Sequence, residues 1–238
     1  MRSEPHLKTG DRIREIHTRL VKRFGSQKNW WPAASPFEVL LGAILVQHTR
    51  WSAVEQALTR LRSGTGLEPS KLLGLPIPAL EALLRSAGCY RQKARRIRAI
   101  SRWYESLDWE QLAGLPTALL RTALLELEGV GPETADAILL YAFGRRVWVV
   151  DRSALRLYSR LGICRDQEAD FKKRILPSLP DGIEWRKEHH ALIVLHGQRY
   201  CQSEPVCKGC PLNSRCAWFH RRPGGRDVFR IGAVRNPR

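Results

Sequence analysis

Apolar residues recur at helical spacing along most of the chain. Ile13, Ile16, Leu20, Val21 and Phe24 share one face of "DRIREIHTRLVKRF", and Asp11 stands where a helix cap is expected. "SPFEVLLGAILVQHT" opens with Ser35 at the N-cap, Pro36 at the first helical position and Glu38 at the capping-box position. It then turns apolar on every side, which predicts a central buried helix. "SAVEQALTRLRSG" repeats the capping box with Ser52 and Glu55, and further helices are expected over 78–88, 91–107, 117–127 and 132–143, the last closed by Gly144. "RSALRLYSRLG", "EADFKKRIL" and "EWRKEHHALIVLHGQRYC" complete the series. The one candidate strand, Val147 to Val150, is short enough to be a buried connection instead, and the fold class is all-α.

Charge changes this picture from a helical domain to one with a polyanionic partner. Lys and Arg number 40 against 23 Asp and Glu, a net charge of +17 with pI near 10.3. DNA, RNA and an anionic membrane surface all fit that balance. No apolar run reaches the roughly 20 residues of a membrane span, and "MRSEPHLKTGDRIRE" has no apolar signal core. The expectation is a soluble, intracellular, cytoplasmic protein with no membrane partner. Between Arg85 and Tyr104, Arg91, Lys93, Arg95, Arg96, Arg98 and Arg102 occur with no acidic residue, a pattern suited to phosphate contact or to a solvated helix face.

Three local features carry candidate chemistry. "LEGVGPETA", from Leu127, sets Gly129 and Gly131 against a proline that suits the first turn of a helix. Glycines permit positive φ and leave amides uncovered, and uncovered amides at a helix N-terminus bind phosphate; the same string also reads as an ordinary turn between packed helices. Asp151 precedes "RSALRLYSRLG" and would cap that helix in any protein. Cys201, Cys207, Cys210 and Cys216 are spaced C-x5-C-x2-C-x5-C, which suits four-thiolate ligation of zinc or of an iron-sulfur cluster better than disulfides in an intracellular chain. Cys89 and Cys164 lie outside that cluster.

Taken in order, these strings resemble the endonuclease III superfamily of DNA glycosylases, from roughly Ile13 to Cys216. "LEGVGPETADAILLYAFGRRVWVVDRS" is similar to its helix-hairpin-helix, Gly/Pro-rich loop and aspartate, "ILVQHT" to its buried helix with a following glutamine, and "GCYRQKARRI" to its basic helix entry. The resemblance implies two helical domains with an active-site cleft between them: a helical barrel over 31–144 carrying the hairpin at about 119–143, and an iron-sulfur domain from 1–30 with 145–220. Residues 221–238 are expected to form a basic, disordered tail. The cysteines are implied to hold a [4Fe-4S] cluster, although the family's usual first gap is six residues and here it is five.

By the same resemblance Asp151 is the catalytic residue, stabilising the sugar cation and activating water. The lyase branch reads Leu-Pro-Gly-Val-Gly-x-Lys-Thr-Ala, and its nucleophilic lysine is replaced here by Glu133, which either positions water or is a first-turn acid favoured by the helix dipole. "NWWPAASPFEVLLGAILVQHTRW" resembles the relatives that remove alkylated purines such as 3-methyladenine. That match implies a base pocket in which Trp30 and Trp51 sandwich the base while Trp31 and Pro32 shape the wall. DNA contacts are implied for Gln47, which would fill the gap left by the flipped nucleotide, for Cys89 or Tyr90 as a wedge, for Arg91, Lys93 and Arg95, and for Gly129, Val130, Gly131 and Thr134. The expected function is monofunctional excision of a damaged base from double-stranded DNA by a nucleoid-associated monomer. A bifunctional glycosylase/lyase acting on oxidised pyrimidines and a non-catalytic damage-binding or redox-sensing relative are the alternatives.

Overall fold

A computed structural model of the chain describes residues 8–112 and 114–221; the expected basic tail lies, from residue 222, outside the described residues. All regular structure among the described residues is helical. The helices are α1 (Thr9–Phe24), α2 (Pro36–Leu45), α3 (Trp51–Thr65), α4 (Pro69–Gly74), α5 (Ile77–Leu83), α6 (Tyr90–Glu105), α7 (Trp109–Leu112), α8 (Thr117–Leu125), α9 (Pro132–Tyr141), α10 (Arg152–Arg160), α11 (Glu168–Arg174), α12 (Ile183–Arg199) and α13 (Ala217–His220). None is long and apolar enough to cross a membrane.

The described residues divide into two compact units, those within Trp31–Val149 and those within Met1–Trp30 and Val150–Arg238. In the first, α2 is the central element and packs on α6 and α9, with α4 and α5 against α6 and α8 against α9. Its burial on all sides follows from its sequence: every residue from Phe37 to Leu45 is buried. The one acid among them, Glu38, is neutralised by Arg62 and accepts from the Ala34 amide at 2.9 Å. Ser35 caps the helix as the sequence indicated, accepting from the Glu38 amide at 3.2 Å. In the second unit α12 is central, packed by α1 and α10, with α11 and α13 on α10.

Several local expectations are corrected. Helix α1 begins at Thr9 with Lys8 at the cap position, so Asp11 lies in the first turn, where it favours the helix dipole instead of capping it. Helix α3 begins at Trp51 after Arg50, so Ser52 is already helical and caps nothing. Helix α9 ends at Tyr141 and leads into a widened turn, Phe143 N to Ile138 O at 3.3 Å, before Gly144 takes a φ of 58°. Residues 147–150 are an irregular connection with no strand partner among the described residues.

Candidate functional site

In the unit Trp31–Val149 the hairpin between α8 and α9 is closed by Val130 N donating to Leu127 O at 3.0 Å. Gly129 adopts a φ of 81°, a conformation that excludes ordinary side chains. Gly131, at the N-cap of α9, is exposed, and nothing lies within 4 Å of where a Cβ would stand. Beyond it Pro132 lacks an N–H, and the Ala135 amide donates to Gly131 O at 2.9 Å, so the positive end of the helix dipole faces the loop, an arrangement that favours an anion. Glu133 lies exposed in that turn, while Val130 is buried and anchors the loop. Thr134 points back, its hydroxyl accepting from Gln47 Nε2 at 3.1 Å.

Helix α6 separates its basic residues into two sets. Arg91, Arg95 and Arg102 are exposed, where they can meet phosphate, and Arg91 also lies 4.0 Å from the Glu81 carboxylate. Lys93 is not: it is 2% exposed, and its ammonium donates to the Leu45 and Ala87 carbonyls at 2.9 and 2.7 Å. Burial lowers its pKa, and the expectation that it contacts DNA is corrected on this ground. Arg96 is half-buried, with Nη1 donating to Gln47 Oε1 at 2.7 Å, and Arg98 donates to the Leu73 carbonyl at 2.9 Å. The turn entering α6 presents Cys89 at its exposed tip in the left-handed conformation, φ 47°. Tyr90 is half-buried, with the guanidinium groups of Arg85 and Arg91 5.8 and 5.9 Å from its ring centre, so Cys89 is the better placed of the two wedge candidates. His48, directly after Gln47, is a second exposed non-glycine residue at positive φ, 57°.

The aromatic residues fall in both units. Trp31 packs edge-on to Trp51, ring centres 5.7 Å apart at 76°, and against Tyr141 at 5.0 Å. Its indole lies on Gly42, where an added Cβ would be 3.1 Å from Nε1, so a small residue in α2 makes room for the ring. Trp51 is half-buried and donates to Glu55 Oε1 at 3.0 Å, and Pro32 is exposed. Tyr141 was missed in the sequence, where it reads as one more apolar position of α9. Trp30 belongs to the other unit, half-buried after a turn in which its amide donates to Gln27 O at 3.0 Å.

In the unit that contains Val150–Arg238, Asp151 caps α10: it is buried, and Oδ1 accepts from the Ala154 amide at 2.7 Å. The cap fixes the carboxylate at the positive end of the helix. His190 of α12 is buried; desolvation lowers its pKa, and the charge of Asp151 opposes that fall.

All six cysteines are thiols. Burial, joined by the charges of Cys201, Cys207 and Cys216 and opposed by amide donation from Leu212, pushes the Cys210 thiol up to about 11, so the four sulfurs act on one another. Cys216 is raised by burial in the same way, against amide donation from Phe219 and Trp218. Arg160 donates to Cys201 Sγ at 3.3 Å and to the Gln202 and Ser203 carbonyls at 2.6 and 2.9 Å. His196 Nε2 lies 3.2 Å from Cys210 Sγ. Its Nδ1 is buried without a partner, and burial brings its pKa down to about 4. A neutral ring with the proton on Nε2 donates to sulfur and leaves only a lone pair unsatisfied. Arg160 and His196 were not singled out in the sequence, since the sulfur each meets is fixed only by the fold. Among the described residues no three His, Cys, Asp or Glu side chains are gathered tightly enough to hold a single metal ion. A thiolate-only set that is mutually repelling, partly buried and supplied with N–H donors suits an iron-sulfur cluster, whose several irons separate the ligands.

Residues 41–177 match the HhH-GPD superfamily of base excision DNA repair proteins, a span that includes both the hairpin and Asp151. Over 210 residues the chain is 38% identical to a Methanocaldococcus jannaschii protein provisionally named a DNA repair glycosylase, covering 86% of this chain and 95% of that one. A solved endonuclease III in a non-covalent complex with DNA is similar with a TM-score of 0.72 and 27% identity, covering 90% of this chain and 98% of that one. The H. pylori 3-methyladenine DNA glycosylase bound to 1,N6-ethenoadenine is similar with a TM-score of 0.65 and 27% identity, covering 81% and 98%.

Proposed function

The chain belongs to the HhH-GPD superfamily of base excision DNA repair proteins, and from that premise we propose that it is a monofunctional glycosylase removing alkylated purines from duplex DNA. The observation that carries the first half is Glu133: an exposed carboxylate occupies the first turn of α9 at the place where the lyase pattern has its amine. A carboxylate cannot form a Schiff base with C1′, so the nucleophile is water. The bond from C1′ to the base nitrogen breaks, the base leaves with the electron pair, and the developing sugar cation is stabilised by the Asp151 carboxylate. Water oxygen then bonds to C1′, and its proton passes to Asp151 or to solvent. The cap from Ala154 holds that carboxylate in one orientation throughout.

Support for the substrate class comes from indole faces and from likeness to a 3-methyladenine glycosylase. A methylated purine is cationic, stacks on electron-rich rings such as Trp31 and Trp51, and departs as a neutral base without a strong general acid. Arg91, Arg95 and the hairpin amides serve the DNA backbone. Cys201, Cys207, Cys210 and Cys216 would hold a [4Fe-4S] cluster, which when bound would tie the C-terminal loop to α10 and α12.

Duplexes carrying methylated purines test the proposal. Excision is expected to leave an intact abasic strand that breaks only on alkaline treatment, with no adduct trapped by borohydride. Asp151→Asn is expected to abolish excision while duplex binding is kept, because asparagine still caps the helix but lacks the charge. Glu133→Lys restores an amine and is expected to give trappable adduct. Efficient trapping by the unaltered protein, or undiminished excision by Asp151→Asn, would sink the assignment of Asp151 and water.

A further inference from the structure

The reading above gives Gln47 the role of entering the space left by an extruded nucleotide, and the inference here rests on that role. The amide of Gln47 is engaged at both ends. Nε2 donates to the Gly129 carbonyl at 2.9 Å and to Thr134 Oγ1 at 3.1 Å, and Oε1 accepts from Arg96 Nη1 at 2.7 Å. These bonds join the residues after α2, helix α6 and both sides of the hairpin loop.

Arg96 lies on the bare backbone of Gly129: a Cβ there would fall 2.0 Å from Nε, 2.3 Å from Cδ and 2.6 Å from Cζ. Position 129 therefore takes glycine for two separate reasons, its φ of 81° and the guanidinium that fills the space a side chain would need. Arg96 Nε is buried without a hydrogen-bond partner. An arginine serving phosphate from the surface would turn that group to water, as its exposed neighbour Arg95 is able to do.

We infer that Arg96 is a positioning residue: it fixes Gln47 to the hairpin, so that the loop gripping the DNA backbone and the side chain entering the stack are presented as one piece. Ordering Gln47 before DNA arrives removes part of the entropic cost of placing it in the duplex. Because the hairpin amides grip the backbone, phosphate capture then sets the register at which Gln47 meets the stack.

The test compares Arg95→Gln, Arg96→Gln, Arg96→Lys, Gly129→Ala, Gln47→Ala and the double variant Arg96→Gln/Gln47→Ala, all in the full chain. Each is bound to an undamaged duplex and to the same duplex with a tetrahydrofuran abasic-site analogue, across a range of salt. Arg95→Gln is expected to reduce the log-log salt slope by about 0.9, the contribution of one phosphate contact. Arg96→Gln is expected to leave that slope unchanged and to lower the preference for the abasic duplex by about tenfold, the size of one lost charge-assisted hydrogen bond. Arg96→Lys keeps the charge but not the planar guanidinium and is expected to lose the same preference, as is Gly129→Ala, whose methyl expels the guanidinium. The double variant is expected to lose no more than Gln47→Ala, as for two residues acting as one unit. A slope that falls in Arg96→Gln as it does in Arg95→Gln makes Arg96 a phosphate contact and overturns the inference, as does full additivity in the double variant. These readouts are of binding alone, so absence of excision on methylated purines would refute the proposed activity without altering the result for Arg96.

Discussion

The two units bury different kinds of side chain. Within Trp31–Val149 the core is aliphatic: Leu40, Leu41, Ile44, Leu45, Ile97, Ile100, Ile138 and Leu139 are all fully buried, and the buried charges, Glu38, Lys93 and Asp136, are each matched by an arginine or by backbone carbonyls. The unit with α10 and α12 has an apolar core of its own, with Ile13, Leu20, Phe171, Ile175, Leu192 and Ile193 fully buried, but adds to it Asp151, Arg160, Arg186, Glu188, His189, His190 and His196. Apolar burial is non-directional and indifferent to pH, whereas a buried ionisable group is stable only with its partners and its protonation state intact. The unit that displays the hairpin therefore rests on packing, and the unit that holds Asp151 and the cysteines rests on packing together with a polar network and, on our proposal, on a cluster.

The largest expected effect breaks that second support. Cys207→Ser removes one thiolate of four, and because ligation contributes directly to folding, the loss extends beyond one bond. Anaerobically purified protein is expected to contain about four iron and about four sulfide per chain, as one [4Fe-4S] cluster requires, and the variant to contain neither in full. Limited proteolysis is expected to cut the variant between Cys201 and Cys216 while Trp31–Val149 stays intact. Stoichiometric zinc without sulfide in the unaltered protein would replace the cluster with a zinc site.

Next in size is a change confined to packing. Ile138 is fully buried in α9, beneath the hairpin. Ile138→Ala leaves a cavity and is expected to cost about 2–5 kcal/mol, read as a fall in melting temperature and as lost amide protection in α2, α6 and α9. The amides of α12 are expected to keep theirs. Equal loss in both units would show that they unfold as one and that the contrast in their cores has no separate thermodynamic expression.

The same contrast separates what the sequence disclosed from what it hid. Helices with several turns of apolar period, α1 and α6, are legible because burial of one face repeats often enough to be counted, and α2 and α9 because a proline at the first turn precedes a mostly apolar run. The short α4 and α7 are not, since one turn carries too few positions to show a period. Lys93 reads as a DNA contact by its charge, yet it stands four residues before Ile97 and seven before Ile100, on the buried stripe of α6. That register, given more weight than residue type, would have placed it inside. Arg96 and Gln47 meet across 49 positions, and no local pattern encodes the contact. Asp151 was legible as a helix cap, and the chemistry we propose for it uses the same carboxylate.

The smallest expected effect comes from acid, and it falls on the polar unit alone. Tyr158 OH lies 2.8 Å from His189 Nε2, His189 Nδ1 lies 3.3 Å from His17 Nδ1, and His17 Nε2 lies 3.5 Å from Glu188 Oε2. Glu188 Oε1 in turn accepts from Ser26 Oγ at 2.5 Å and from the Gln27 amide at 2.9 Å. One assignment satisfies the chain with both rings neutral: Tyr158 donates to His189, His189 to His17, and His17 to Glu188. Protonating His17 places a second N–H against His189 Nδ1–H, so the chain breaks. Burial lowers the pKa of His17, His189 and His190, with Glu188 opposing the shift at His17 and Asp151 opposing it at His190. A histidine depressed below its unfolded value of 6.5 binds its proton more readily in the unfolded chain. Its contribution to stability is therefore complete above that value and is lost as pH falls toward the folded value. Between about pH 7 and pH 5.5, amide protection in α1 and α12, corrected for intrinsic exchange, is expected to decline while that in α2 and α9 holds. His17→Gln, which cannot take up a proton, is expected to blunt the decline, and a decline of equal size in α2 would remove the distinction between the two cores.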